Sequence, residues 1–213
     1  MTTFPRSPRI LKAGLALIDP DSGRVQRMVA LQYNPDSLSR SLQIQGTGAQ
    51  GGQRAEPLRL TGPAVETIKL EAEIDAADQL EFPDQNPSTV EFGIQPELSA
   101  LETLVNPTSG QLIANTALAL SGVLEIAPME APLALFVWGK RRSVPVRVTE
   151  FSITEEAFDP SLNPIRAKVS LGMRVLTVDD FPIGHRGAGL FLGSLQAVEQ
   201  LATRAVRGVL SIF

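Results

Sequence analysis

The chain has 213 residues, with 19 Lys and Arg against 23 Asp and Glu, a formal charge of -4, 43% hydrophobic and 20% charged residues. That composition allows one large domain or two small ones, with a core built without disulfides. The absence of Cys excludes a disulfide scaffold, thiolate metal sites and a Cys nucleophile, and a single histidine, His185, removes zinc sites built from several imidazoles.

Mild acidity with scattered Arg and Lys gives no electrostatic footprint for nucleic acid. Met1 to Ile10 has no secretory pattern, and no run reaches about 18 apolar residues. The expectation is a soluble chain made in the cytoplasm, without nucleic-acid partners and without direct membrane insertion.

The 17 Gly and 16 Pro are spread between short apolar segments, which predicts a mainly β chain. Ile10 to Ile18 and Val25 to Gln32 read as strands around the turn cluster Asp19-Pro20-Asp21-Ser22-Gly23, a hairpin. Ser37 to Gln45 alternates as a third strand. Gly46 to Pro57 carries four glycines and no large apolar residue, which predicts a flexible loop. Val65 to Asp75 alternates strictly: Ile68, Leu70, Ala72 and Ile74 lie on one face, and Lys69, Glu71, Glu73 and Asp75 on the other. Spacing alone leaves that charged face open as a channel wall or a solvated exterior.

A polar stretch from Asp78 to Glu91 precedes Pro96 to Val105, where Leu98, Leu101 and Val105 have helical spacing behind a proline. Leu112 to Ile126 is ambiguous between a second helix and an inserted hairpin with Ser121-Gly122 at its tip. Leu133 to Trp138 and Val144 to Val148 read as strands joined through Gly139 and Lys140-Arg141-Arg142. Past Val148 the apolar positions shift to Phe151 and Ile153, which predicts a bulge. Ile165 to Val175 alternates over about 11 residues, beyond the usual 5–6, which implies a barrel or an assembly-forming sheet. Phe191, Leu195, Val198, Ala202, Ala205, Val209 and Ile212 recur at steps of three and four, an amphipathic helix in need of a partner surface.

Chemical motifs are sparse. Gly46 to Gly51 has dinucleotide-fingerprint spacing, but the residues after it cannot open the required helix. No Gly-Lys-Ser/Thr occurs, and Asp19, Asp21 and Gly23 lack the other ligands of a calcium loop. Glu155-Glu156 and Asp179-Asp180 are adjacent pairs, which point to opposite sides of a strand and suit turns and caps. His185 reads as a solvated or interface ring, Trp138 as a core residue, and the basic run 140–142 equally as a solvated tip or a contact for an acidic neighbouring subunit. No catalytic residue, cofactor or metal is expected.

Several stretches in order give the sequence a family character: Leu31-Gln32-Tyr33-Asn34-Pro35, Pro96 to Leu104, and Phe136-Val137-Trp138-Gly139. They are followed by Phe151-Ser152-Ile153-Thr154, Phe158-Asp159-Pro160 and Asn163-Pro164-Ile165-Arg166-Ala167 running into the alternating strand. From Ile10 to Leu176 the chain resembles the tube-like proteins of contractile injection systems. The resemblance implies an antiparallel β-barrel or sandwich of the phage-tail-tube type, with a short helix and a C-terminal amphipathic helix. It implies a body over 1–178, with an insertion around 78–131, followed by a linker and helix over 179–213. It implies structural family positions at Asn34, Pro35, Trp138, Gly139, Phe158, Pro164, Arg166 and Ala167.

The function so implied is a baseplate adaptor, or tube initiator. It would be a hexameric ring of copies joining the spike protein to the inner-tube protein, in contact with other baseplate proteins of a phage-tail-like particle that can be released. Many members continue into a peptidoglycan-binding LysM module, which the residues after Asp180 do not resemble. Lys69, Glu71, Glu73, Arg166, Lys168 and Arg174 are the candidates for subunit contacts or the lumen. Phe191, Leu195, Val198, Ala202 and Val209 are the candidates for docking a partner. Two alternatives stand beside this reading: the repeating inner-tube subunit, and a cell-wall-binding or hydrolytic β-domain that would depend on Glu155, Glu156 or His185.

Overall fold

The computed structural model describes residues 12–19, 22–46, 60–120, 133–139 and 141–210, with only the helical backbone over 206–210. Among the described residues seven strands form one antiparallel sheet: β1 (Gly14–Ile18), β2 (Val25–Ala30), β3 (Leu38–Gln43), β4 (Val65–Asp75), β5 (Leu133–Val137), β6 (Ser143–Phe158) and β7 (Pro164–Val175). Their order across the sheet is β2-β1-β5-β6-β7-β4-β3. The expected mainly β architecture is present, and β1–β2 is the expected hairpin, with Gly23 at φ 71° in its turn. The glycine-rich segment 47–59 and the tip Ser121-Gly122 lie outside the described residues.

The period-two pattern of β4 is realised residue by residue. Ile68, Leu70, Ala72 and Ile74 are buried, and β7 answers with Ala167, Val169, Leu171, Met173 and Val175. One core cluster joins these side chains to Leu15 and Leu17 of β1, Phe136 of β5 and Val146 of β6, so the sheet curls about a single interior. Each fully buried Leu, Ile, Val or Met contributes about 1.5–3 kcal/mol. The register of β6 slips between Val148 and Glu150, the bulge expected from the sequence, and slips again between Glu155 and Ala157.

Among the described residues five α-helices punctuate the sheet: α1 (Ala77–Leu80), α2 (Pro87–Phe92), α3 (Gln95–Glu102), α4 (Ser109–Leu120) and α5 (Arg186–Leu210). The stretch read as merely polar therefore folds into two short helices, the second opened by Pro87. In α3 the expected Leu98 and Leu101 are buried, but the helix stops at Glu102 and Val105 is exposed beyond it. The ambiguous Ala/Leu-rich stretch is helical through Leu120. Gly93, at φ 59°, lets α2 turn against the start of β7: a Cβ there would stand 2.1 Å from the Pro164 carbonyl oxygen, which accepts from the Ile94 N–H at 2.8 Å.

Candidate functional site

The alternating charges of β4 and β7 meet on one face of the sheet. Glu73 lies opposite Lys168, Asp75 opposite Arg166, Glu71 opposite Ser170, and Thr67 opposite Arg174. Side chains directly across an antiparallel ladder share a face, so all six charged candidates from the sequence come together. Nearly all are already engaged within the chain. The Arg166 Nε donates to Asp75 Oδ2 at 2.7 Å and lies 3.8 Å from Glu73 Oε1, Lys168 Nζ meets Glu156 Oε1 at 2.8 Å, and Arg174 meets Asp180 Oδ1 at 2.8 Å.

Lys69 reaches over β7 to Glu150 of β6 at 2.8 Å. It can do so because the intervening residue is Gly172, where a Cβ would stand 2.9 Å from the Glu150 Cβ. Among the described residues Glu71 has no ion pair, and it sits in the middle of this face beside Ser170 and Ser152.

The electrostatics are those of an exposed, mutually neutralising lattice. Burial opposes charge on the Asp75 carboxylate, but the Ala77 N–H and Arg166 outweigh it and hold its pKa below the ordinary Asp range. The Lys168 ammonium is held above its ordinary value by its hydrogen bond to Glu156, and Arg166 by its bond to Asp75. The partners Glu150, Glu156 and Asp180 were invisible to spacing arguments, since each depends on strand register or on a cap.

The family-motif stretches prove to be closures and corners. After β2, Leu31 is buried and the Gln32 amide clasps the backbone at the end of β4: its Nε2 donates to the Asp75 carbonyl at 2.6 Å, and its Oε1 accepts from the Asp75 N–H at 2.9 Å. Asn34 Oδ1 accepts from the Ala13 N–H at 3.0 Å, tying the same strap to β1. Pro35 follows in the exit toward β3. No pairing joins β2 to β3 among the described residues, so the curled sheet is held by this clasp and by α3, which the Arg27 guanidinium tethers through Thr103, while both edge strands stay open.

At the other corner the Asp159 carboxylate accepts from the Asn163 side chain at 2.8 Å and from the backbone N–H groups of Asn163 and Ser161. Those bonds, the Asn163 side chain foremost, lower its pKa. Phe158 pairs with Pro164 across this turn and is exposed, whereas Ala167 is fully buried. Trp138 packs against Phe136 at 5.8 Å between ring centroids but is only half-buried, flanking the core instead of lying within it as the sequence predicts, and Gly139 adopts φ 75° in the following turn.

The helix α5 starts at Arg186, five residues before the first position of the predicted stripe. Asp180 closes a capping box with Thr177 in the 3-10 turn Val178–Asp180, the role expected of that acidic pair. His185 is half-buried, stacks on Phe181 at 4.8 Å, and accepts from the Gly187 N–H at 3.1 Å. Of the docking candidates, Phe191 belongs to the protein's own core, whereas Leu195 and Val198 stay 42% and 57% exposed and Ala202 is exposed. The side chain of Val209 lies outside the described residues.

Leu195, Val198 and Leu201 overhang a groove of about 670 Å³ floored by Trp138, Val144 and Val175, with Arg40, Arg141 and Arg142 on its rim. The sequence announced the helix stripe but not this groove, whose other wall comes from β3 and β4. Glu156 lies in the second bulge of β6, paired with Lys168, and not in a turn. Among the described residues no group of His, Asp and Glu is placed to hold a metal ion, and no helix is long and apolar enough to cross a membrane.

Comparison with curated proteins finds no match. The family model for the contractile injection system tube protein matches residues 16–177, from β1 to the capping Thr177. A curled antiparallel sheet with open edges, and a polar face tied together by ion pairs, agrees with that match. The chain belongs to the contractile injection system tube protein family, structural components of phage-tail-like particles.

Proposed function

We propose that the protein is the adaptor, or tube initiator, of its particle: a hexameric ring that seats on the spike protein and presents a template from which the inner tube grows. In this reading the body over 1–178, including the insertion around 78–131, makes the ring. Neighbouring copies cover the open edge strands β2 and β3, which would otherwise be free to template aggregation. The face bearing Lys69, Glu71, Glu73, Arg166, Lys168 and Arg174 lines the lumen or the flank of a neighbouring subunit. Its ion pairs present a neutralised polar wall in either place.

The observation that carries the adaptor over the repeating tube subunit is α5. It lies past the tube-like segment, is anchored to the body by Phe191, and runs on exposed through Ala202. A subunit that repeats need match only itself, whereas an adaptor needs an additional surface for an unlike part. The arm over 179–213 supplies one for the spike or another baseplate protein.

Copy number tests the reading. Quantitative mass spectrometry of purified particles is expected to give one ring of copies per spike complex, and hundreds of copies would assign the chain to the repeating tube. Particles would be assembled in the cytoplasm, and recovery of this chain in intact particles outside the cell would show release.

A further inference from the structure

The charge along this chain is strongly segregated. Between Lys69 and Lys140 there is no Lys or Arg, while acidic residues continue throughout. Within that stretch α1, the 3-10 turn Pro83–Gln85 and α2 form a compact knob: Asn86 Nδ2 donates to the carbonyls of Gln79 and Phe82, and Gly93 seats the knob against Pro164. The knob exposes Phe82, Val90 and Phe92 at 55%, 48% and 47%, and Glu81, Asp84 and Glu91 are exposed among them. Exposed aromatic side chains flanked by carboxylates are costly to leave in water and natural to insert elsewhere.

The groove beneath α5 is the complementary shape and charge. Its rim holds Arg40, Arg141 and Arg142 against the single carboxylate of Glu66, which is already taken by Arg40, and Arg204 lines the adjoining cleft. Among the described residues Arg141, Arg142 and Arg204 have no ion-pair partner. Its volume falls in the range of about 300–1,000 Å³ that seats a ligand or a few large side chains.

The two surfaces cannot meet within one molecule. The groove lies where β4 begins and β7 ends, at Glu66 and Val175, and the knob adjoins the end of β4 and the start of β7. The 11 residues of β4 separate them by about 35 Å at a rise of about 3.3 Å per residue.

We propose that the arginine-rimmed groove under α5 receives the acidic aromatic knob of a second copy of this chain, as the contact between adjacent copies in the ring. Because the two patches differ, the contact is heterologous and passes from copy to copy until rotation closes it. It rests on the assembly reading above and adds the pair of surfaces that carries it. It leaves the outer turns of α5, from Ala202, free for an unlike partner.

The test uses the full-length protein, whose lack of cysteine makes introduced thiols specific. Glu91→Cys with Val198→Cys, treated with a flexible bis-maleimide, is expected to give covalent dimers and a ladder of higher species, while each single-cysteine variant gives no ladder. In sedimentation, reversal of the knob (Glu81→Lys, Asp84→Lys, Glu91→Lys) or of the rim (Arg141→Glu, Arg142→Glu) is expected to weaken association at least about tenfold, and mixing the two reversed proteins is expected to restore it. Raising salt from about 0.05 M to about 0.5 M weakens the wild-type contact in the same way, since screening shortens the reach of the rim charges.

No ladder from the double-cysteine protein overturns the proposal. So does an unchanged association after either reversal, or capture of a different baseplate component in the groove while copies still associate. A ring seen in particles without the cross-link removes this contact and leaves the assembly reading standing, and a ladder from protein that never enters particles does the reverse.

Discussion

Replacing Gln32 with Ala removes the clasp that stands in for strand pairing between the β2 side of the sheet and the end of β4. Two hydrogen bonds are lost, at 2.6 and 2.9 Å, and both the N–H and the C=O of Asp75 lose their partner. A buried polar group left unsatisfied costs about 1–3 kcal/mol, and Asp75 is half-buried, so water recovers part of each loss and the cost settles near the low end, about 2 kcal/mol in total. For a chain of this size about 1 kcal/mol moves Tm by about 2–4 °C, which puts the expected drop at about 4–8 °C.

Gln32→Glu separates the two bonds. The carboxylate still accepts from the Asp75 N–H but cannot donate to its carbonyl, and it places a second negative charge near the Asp75 side chain. At neutral pH Gln32→Glu is therefore expected to be less stable than Gln32→Ala. The order should reverse as pH falls through the Glu range near 4.3, where the protonated acid regains a donor. Thermal unfolding followed by circular dichroism reads the stability, and amide exchange reads the Asp75 N–H directly. A Gln32→Ala protein within about 0.5 kcal/mol of wild type, with Asp75 exchange unchanged, would refute the clasp as a closure of the sheet.

The neighbours Gly172 and Met173 point to opposite faces of β7 and should be destabilised by opposite changes, crowding at the first and a void at the second. Met173→Ala empties a fully buried site and is expected to cost about 2–5 kcal/mol. Gly172→Ala brings its Cβ to 2.9 Å from the Glu150 Cβ, which cannot swing aside as the tip of a side chain could, so the backbones of β6 and β7 must part, and by denaturant unfolding the cost is expected at about 1–3 kcal/mol. Asp75 supplies the pH dependence. Its pKa is lower folded than unfolded, so its contribution is fully present above the unfolded value near 3.9 and is lost as pH falls through that value toward the folded one. Asp75→Asn should accordingly flatten the Tm profile between about pH 5 and pH 2, and an unchanged slope would contradict the assignment.

Much of this fold was legible because burial imposes a period. β4 could be assigned face by face since Ile68, Leu70, Ala72 and Ile74 must all reach one core, and the slip at Val148 showed because one inserted residue moves Phe151 and Ile153 to the other parity. The helices α1 and α2 were not legible, because with 4 and 6 residues neither completes two turns of apolar spacing. Leu112 to Leu120 stayed ambiguous because its Ala- and Leu-rich run, broken only by Asn115-Thr116, follows neither the helical nor the alternating period cleanly.

The charged candidates could be placed on one face from spacing alone, but their partners could not. Whether Lys69 meets Glu150 is decided by register across three strands and by a glycine in the middle one. The clasp was hidden for the same reason: Gln32 and Asp75 are 43 positions apart, and nothing local marks their meeting. The α5 groove needed the third dimension, since its arginines, its tryptophan floor and its helical wall come from separate elements.

The central claim is that the open edges of this sheet are completed by sister copies. Electron microscopy of the purified particle, at a resolution that traces strands, measures this directly. The account predicts a ring in which β2 and β3 of each copy lie against neighbouring copies, with the turns of α5 from Ala202 onward turned toward an unlike component. A particle that holds the protein as isolated single copies, with both edge strands facing solvent, would contradict it.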